Sequence, residues 1–510
     1  MSSSVILVLS LLLTFAILIV GAMLGRNHNN DLEGWLVHHR GMGSVLLWFL
    51  LGSEIYTAFT FQGLAGYSYT KGAAGFYNVA QNDVSYAVAF LVLPCIWALG
   101  KRYGHVTQAD FIAHRYRSRG LGIFTAFASA LIMIAYIDLN IEGLAAIFHV
   151  LGGNVSPVVG NLIGFAVLAI AVFIGGIRGN AMQSVAKDLL MFLAIAAIFI
   201  AVPVHYFGGF GKMFNAFNTR TPQYFELGKV AKDLGPTWLW STVLLTGLGQ
   251  WMWPQWFGAA FTAKSPRSLK RQAVFMPFYQ LVKVAVLIVG FAAVMALGSG
   301  HPGNNVVMTM AKEIFPGWAL VLIVVAAMLA AIVPGGPIVM TSASLLAKNV
   351  VQQLRPQTAD RTIFWLTRAL VFPLTFTALI ITLWAPALIV NVLLLAYAFI
   401  AQLFPAVVVG GIFWRRATKQ GVLTGLLTGW AVTGYLQLAG HDTLWGINTG
   451  LIGLAANLLA FAAVSLVTPA VEGTESVRET LDLVAVEEEA TAGERRKKVT
   501  TTPRTAAEGA

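Results

Sequence analysis

The stretch Phe49-Leu-Leu-Gly-Ser-Glu-Ile-Tyr-Thr-Ala-Phe-Thr-Phe-Gln-Gly-Leu-Ala-Gly66 interrupts an apolar run with polar groups. It carries a carboxylate at Glu54, hydroxyls at Ser53, Thr57 and Thr60, an amide at Gln62, and glycines at Gly63 and Gly66. A hydrocarbon interior offers such groups no water, and each one left unpaired there costs several kcal/mol. They persist where a helix is broken and its loosened backbone lines a polar cavity. The stretch therefore predicts an interrupted membrane helix rather than a plain anchor.

The rest of the chain agrees with a membrane setting. It is 57% hydrophobic and 11% charged, with a mean hydropathy of +0.74. A soluble domain carries about 25% charge, so an all-α integral membrane protein with the lipid bilayer as its partner is expected. Runs of about 20 apolar residues mark spans. Thirteen are read, at 4–24, 43–70, 79–100, 121–151, 156–176, 183–208, 238–262, 274–298, 317–349, 363–384, 386–413, 421–439 and 445–468. No positive residue precedes Val5 and no small-x-small exit follows Leu24, so the first run reads as a retained span, not a signal peptide.

The net charge of +11 does not point to nucleic acid, because most Lys and Arg lie in short loops that orient spans. They concentrate after the odd-numbered spans, with five between 101 and 120. Those loops are cytoplasmic by the positive-inside rule, which puts the N-terminus outside and the C-terminus inside a cell (inner) membrane. The single cysteine, Cys95, lies in an apolar run and excludes a disulfide framework or a thiolate metal site. Residues 471–510 have almost nothing to bury and read as a disordered cytoplasmic tail with a basic cluster, Arg495-Arg-Lys-Lys498.

A second interruption sits in the seventh span, Thr246-Gly-Leu-Gly-Gln-Trp-Met-Trp-Pro-Gln-Trp256. Glycine and proline loosen the hydrogen-bond ladder there. The two breaks lie five spans apart, the corresponding position in two inverted repeats of five helices, and such pairs point to a midplane substrate site. The organisation expected is a first helix and loop (1–42), a first repeat (43–208), an outer loop (209–237), a second repeat (238–413), two peripheral helices (414–470) and the tail.

Four motifs in register resemble the sodium:solute symporter family, with its LeuT-like core. They are Phe61-Gln-Gly-Leu-Ala-Gly-Tyr-Ser-Tyr-Thr-Lys-Gly72, Thr107-Gln-Ala-Asp-Phe-Ile-Ala-His-Arg-Tyr116 with Ser118, Gly175-Gly176 leading to Asp188, and Pro405 followed by Gly411-Ile-Phe-Trp-Arg-Arg-Ala-Thr-Lys-Gln-Gly421. General similarity around Gly52–Thr60 is to bacterial monocarboxylate permeases. The resemblance implies a secondary symporter of a small organic anion such as lactate, pyruvate or acetate, and no enzyme. A sodium-coupled carrier of proline, pantothenate or a sugar, or a transporter-fold channel or sensor, is the alternative.

The same resemblance implies a sodium ion as the only cofactor, held by carbonyls of Ser53, Tyr56 and Ala331 and by two adjacent hydroxyl residues. In Ala330-Ala-Ile-Val-Pro-Gly-Gly-Pro337 that pair is replaced by Pro334 and Gly335. Sodium wants a cage of oxygens, so the replacement should weaken its site. Glu54, and Lys187 with Asp188, could carry a coupling proton instead. Asp188 matches a family acid on the sodium exit route. Residues flanking the breaks are substrate candidates: Thr57, Thr60, Phe61, Gln62, Gly63, Asn140, Gln250 and Trp251. Asp138 and Glu142 share one helix face and read as lining the permeation path. Lys283 and Arg368 lie inside their spans, and for Lys283 packing is the simpler reading. Membrane redox chemistry needs paired ligands inside spans, and only His149 and His205 fall there, each near an end. A phosphate-binding loop for ATP-driven transport is also missing.

The charge pattern predicts that an impermeant thiol reagent outside the cell labels a cysteine placed in the 209–237 loop but not one in the 101–119 loop. The reverse labelling would invert the orientation.

Overall fold

The computed structural model describes residues 1–25, 31–152, 157–384, 389–470 and 475–501. The first residues of the expected eleventh span, 386–388, lie outside these. Helical backbone dominates, and nine helices among the described residues are long and apolar enough to cross a membrane. The expected count of thirteen is not reached by that measure. The seventh span is divided into Pro236–Gly249 and Pro254–Phe261. The fifth and sixth expected spans are two helices that meet at a sharp kink within Pro157–Val202, where Gly176 takes φ 61° and ψ 175°. That left-handed backbone favours glycine, and a Cβ at Gly176 would also meet the Trp35 indole at 2.8 Å.

Burial separates core from periphery. The most apolar window of 317–352 is 89% buried, against 33% for Thr449–Val467 and 39% for Ser3–Gly25. Both kinds of helix are apolar all round, because lipid and protein interior select the same side chains.

The first helix, Ser3–Gly25, packs along the kinked segment Pro157–Val202 and the central helix Gly317–Ser344. Small residues allow the approach: a Cβ on Gly25 would lie 2.2 Å from Gly179 Cα, and one on Gly21 2.4 Å from Gln183 Cγ. Hydrogen bonds reinforce it, with Gln183 Nε2 donating to Leu18 O at 2.8 Å and Ser10 Oγ to Val321 O at 3.3 Å.

Two sequence readings need correction. The tail is not uniformly disordered, since Val477–Thr501 is helical. Ser476 and Glu479 form a reciprocal cap at its start, a signal the sequence carried as Ser-x-x-Glu. Val484 is buried, while Glu487 and Glu488 pair with Lys101 at 2.6 Å and Lys270 at 2.9 Å. Asp138, read as lining the permeation path, faces away from the breaks, whereas Glu142 reaches a residue packed on Gly66 of the second span. Asp138 accepts from the Thr382 hydroxyl, and Glu142 bonds Asn304.

Replacing Gly25 by Leu is expected to destabilise the protein by at least about 1–3 kcal/mol, the usual cost of overpacking. Thermal unfolding of the purified protein checks this, and an unchanged midpoint would contradict the close contact.

Candidate functional site

The second span is helical over Ser44–Ser53, leaves that geometry over residues 54–57, and resumes through Phe59–Gly63 into Leu64–Lys71. The break frees carbonyls that a continuous helix would consume. Thr60 Oγ1 donates to one of them, Ile55 O. Thr57 Oγ1 accepts from Phe59 N at 3.2 Å, so both threonines support the local turn.

Two more of the freed carbonyls receive an ammonium. Lys187 Nζ donates to Ser53 O at 2.8 Å and Tyr56 O at 2.6 Å, and pairs with Asp188 Oδ1 at 2.8 Å. Lys187 is fully buried, and Asp188 is 4% exposed. The Tyr279 hydroxyl, from helix Phe278–Ala296, donates to Asp188 Oδ2 at 2.9 Å. Glu54 lies next to this pair, close enough to feel both charges. It is 3% exposed, and among the described residues neither of its oxygens has a hydrogen-bond partner.

The sequence thus placed Ser53, Tyr56, Lys187, Asp188 and Glu54 at one locus, and the fold brings them together. Ala331, Pro334 and Gly335 lie buried in the central helix. Among the described residues no hydrogen bond links Ala331 to the ammonium. Pro337 cannot donate to the carbonyl four residues back, so Val333 O is free and accepts from Asn180 Nδ2 at 2.5 Å. Asn180 lies two turns before Lys187, on the same helix face. Pro334 and Gly335 stand where the resemblance implies two hydroxyl ligands for sodium, and the Ser53 and Tyr56 carbonyls accept from Lys187.

The second break forms the other wall. Gln250–Met252 is a 3₁₀ turn, and Trp253 is extended before Pro254. Gln250 Oε1 accepts from the Tyr397 hydroxyl at 2.7 Å, and Trp251 Nε1 donates to Ser85 O at 2.8 Å. Trp253 packs edge-on against Tyr136 and Tyr397, at 4.8 and 5.4 Å between ring centroids. Asn140 faces the same region. Its Nδ2 donates to Tyr136 O at 2.8 Å, leaving Oδ1 as an unpaired buried acceptor. Gln62 Oε1 is likewise unpaired, Phe61 is fully buried, and Gly63 lies against Ile389.

The two ends of the path differ. A cavity of about 400 Å³ opens at the end bearing the 209–237 loop, between Tyr67, Lys71, Trp238, Asn391 and His441. The opposite end is tied shut. Gln108 Nε2 donates to Met252 O at 2.9 Å, and Thr107 Oγ1 to Asn349 Oδ1 at 2.8 Å. Asp110 caps helix Gln108–Arg115 and accepts from Lys348 and Asn349. Burial alone would raise the Asp110 carboxyl, but Lys348 and these donors hold it down, at about 2.

Sequence reading missed Tyr279, Asn180, Tyr136 and Tyr397. The available signal was polar side chains recurring along otherwise apolar spans, as in Tyr279, Gln280 and Lys283.

Two breaks facing one another across a buried polar locus, open at one end and closed at the other, define an alternating-access membrane transporter rather than an enzyme. The chain belongs to the sodium:solute symporter family, whose model matches residues 35–429. It is 32% identical over 483 residues to the uncharacterised symporter YhjB of Bacillus subtilis, covering 92% of this chain and 98% of that one. A monocarboxylate transport permease protein of Rhizobium johnstonii is 27% identical over 463 residues, covering 86% and 91%. In fold, the chain matches a Na⁺-coupled sialic acid symporter in a substrate-bound outward-open state, with TM-score 0.77, 15% identity, and 91% and 98% coverage.

Losing one partner of a buried ion pair costs about 3–5 kcal/mol, whereas removing both leaves no uncompensated charge. Lys187→Met alone should therefore destabilise more than Lys187→Met with Asp188→Asn, as read by thermal unfolding. Additive losses would show that the pair is not coupled.

Proposed function

We propose that the protein is a proton-coupled symporter that imports a small organic anion, a monocarboxylate, across the cell membrane, with its N-terminus outside and its C-terminus in the cytoplasm. The observation that carries the coupling is the Lys187 ammonium on the Ser53 and Tyr56 carbonyls, where the family resemblance puts sodium. A cation tethered to the chain leaves a site by losing its proton, not by diffusing away. Transfer from Lys187 Nζ to Asp188 Oδ1 breaks one N–H bond, forms one O–H bond, and turns the ion pair into a neutral amine and acid. That discharges the contact holding the broken second span against the helix that carries Lys187, and the span can then move. The acid passes its proton on to water at the cytoplasmic face, and Glu54 is placed beside the pair to exchange protons with it. A buried carboxyl without donors carries a proton at less cost than a charge, which suits Glu54 to that part.

The substrate class is supported by the likeness to a monocarboxylate permease and by the breaks themselves. The half-helices that resume after the breaks, at Ala58 and at Pro254, start beside the site, and helix N-termini favour anions. Sodium-coupled import of another small solute is the second reading, favoured by the family to which the chain belongs.

Proteoliposomes separate these readings. A pH gradient, alkaline inside, should drive accumulation of labelled lactate, pyruvate or acetate without sodium. The paired variant Lys187→Met with Asp188→Asn should lose accumulation yet retain exchange of substrate across the membrane to within a few-fold. Glu54→Gln should impair accumulation in the same way. Uptake that vanishes without sodium and ignores the pH gradient would sink the proton reading.

A further inference from the structure

Lys283 is 3% exposed inside helix Phe278–Ala296, and among the described residues no hydrogen bond, ion pair or ring contact reaches it. An ammonium held this way in a membrane interior is costly. Asp188, the acid that Tyr279 of the same helix reaches, is engaged by Lys187 and Tyr279.

Its depth and direction follow from contacts on either side. A Cβ on Gly52 would lie 1.9 Å from the Tyr279 hydroxyl oxygen, and one on Gly290 2.3 Å from Ala65 O. Helix 278–296 therefore runs beside the second span in the same direction, from the level of Gly52 to that of Ala65. Lys283 is one turn beyond Tyr279 and two turns before Gly290, so all three share a face. At about 1.5 Å per residue it stands about 6 Å beyond Tyr279, level with residues 56–57 where the second span is broken. This helix also packs against Phe59–Gly63.

We propose that Lys283 is the counter-charge for the carboxylate of the transported anion. This rests on the organic-anion reading of the site and adds the residue that recognises it. A compact ammonium on a flexible stem can meet a small carboxylate entering the break. Its lack of a partner among the described residues means that no ion pair seen there must be broken when the substrate arrives. The carboxylate of the ligand then supplies the missing charge, and a neutral analogue of the same shape does not.

The test uses the full-length protein in detergent, titrated with lactate, pyruvate, acetate and alanine and with the primary amides of the first three. Wild type should bind at least one monocarboxylate far better than its amide. Lys283→Met and Lys283→Gln should weaken acid binding about 10- to 100-fold, the range for a charge-assisted contact. They should also level the acid-to-amide preference. Without substrate, both variants should melt at or above the wild-type temperature, since an unpaired charge has been removed. Variants that keep the acid preference would overturn the assignment while leaving the anion reading intact. Loss of binding together with a lowered melting temperature would mark Lys283 as structural and overturn it too. Wild type that binds only neutral solutes would overturn both readings.

Discussion

The Lys187 ammonium and the carbonyls of Ser53 and Tyr56 need one another. A helix broken in the membrane exposes carbonyls that must be satisfied, and an ammonium brought there must recover the hydration it has lost. Each supplies what the other lacks, and Asp188 balances the charge at 2.8 Å. The kink at Gly176, the Asn180 contact to Val333 and the Tyr279 bond to Asp188 set the helix that delivers the lysine. The first helix, with its Gly25–Gly179 approach, holds that same helix from outside.

The prolines of the central helix belong to this arrangement. Pro334 and Pro337 remove backbone donors, and Pro334 stands where the family resemblance calls for a hydroxyl. Sequence and geometry therefore change together: ligands for a free ion are gone and a tethered cation is present. In the proposed reading such a change alters what couples transport while keeping the two breaks.

Charged ties at the end opposite the 209–237 loop are of a different kind. Asp110, Lys348, Asn349 and Thr107 join the loop after the third span to the end of the central helix, and Gln108 reaches the second break at Met252. Closure of this end is thus connected by hydrogen bonds to the unwound backbone of the second break. The tail helix adds ion pairs on Lys101 and Lys270, both at the cytoplasmic end by the charge reading.

The membrane class, the positions of both breaks and the loss of the hydroxyl pair were legible in the amino-acid sequence. Glycine, proline and polar residues inside an apolar run have few permissible explanations in hydrocarbon. The residues Ser53, Glu54, Tyr56, Lys187 and Asp188 could be singled out for the same reason. The chain alone could not say which polar residue meets which. Asp138 looked as well placed as Asn140, yet two residues along a helix is a rotation of roughly 200°, and only packing decided that Asn140 faces the breaks. Tyr279 and Asn180 were hidden because a tyrosine or an asparagine in a span has many ordinary uses. The tail was misread because its helix is supported by ion pairs and a cap rather than by a hydrophobic stripe. Local chemistry determined where the membrane helices must fail; the tertiary structure alone decided which cation fills the gap, because that depends on side chains some 130 residues apart in sequence.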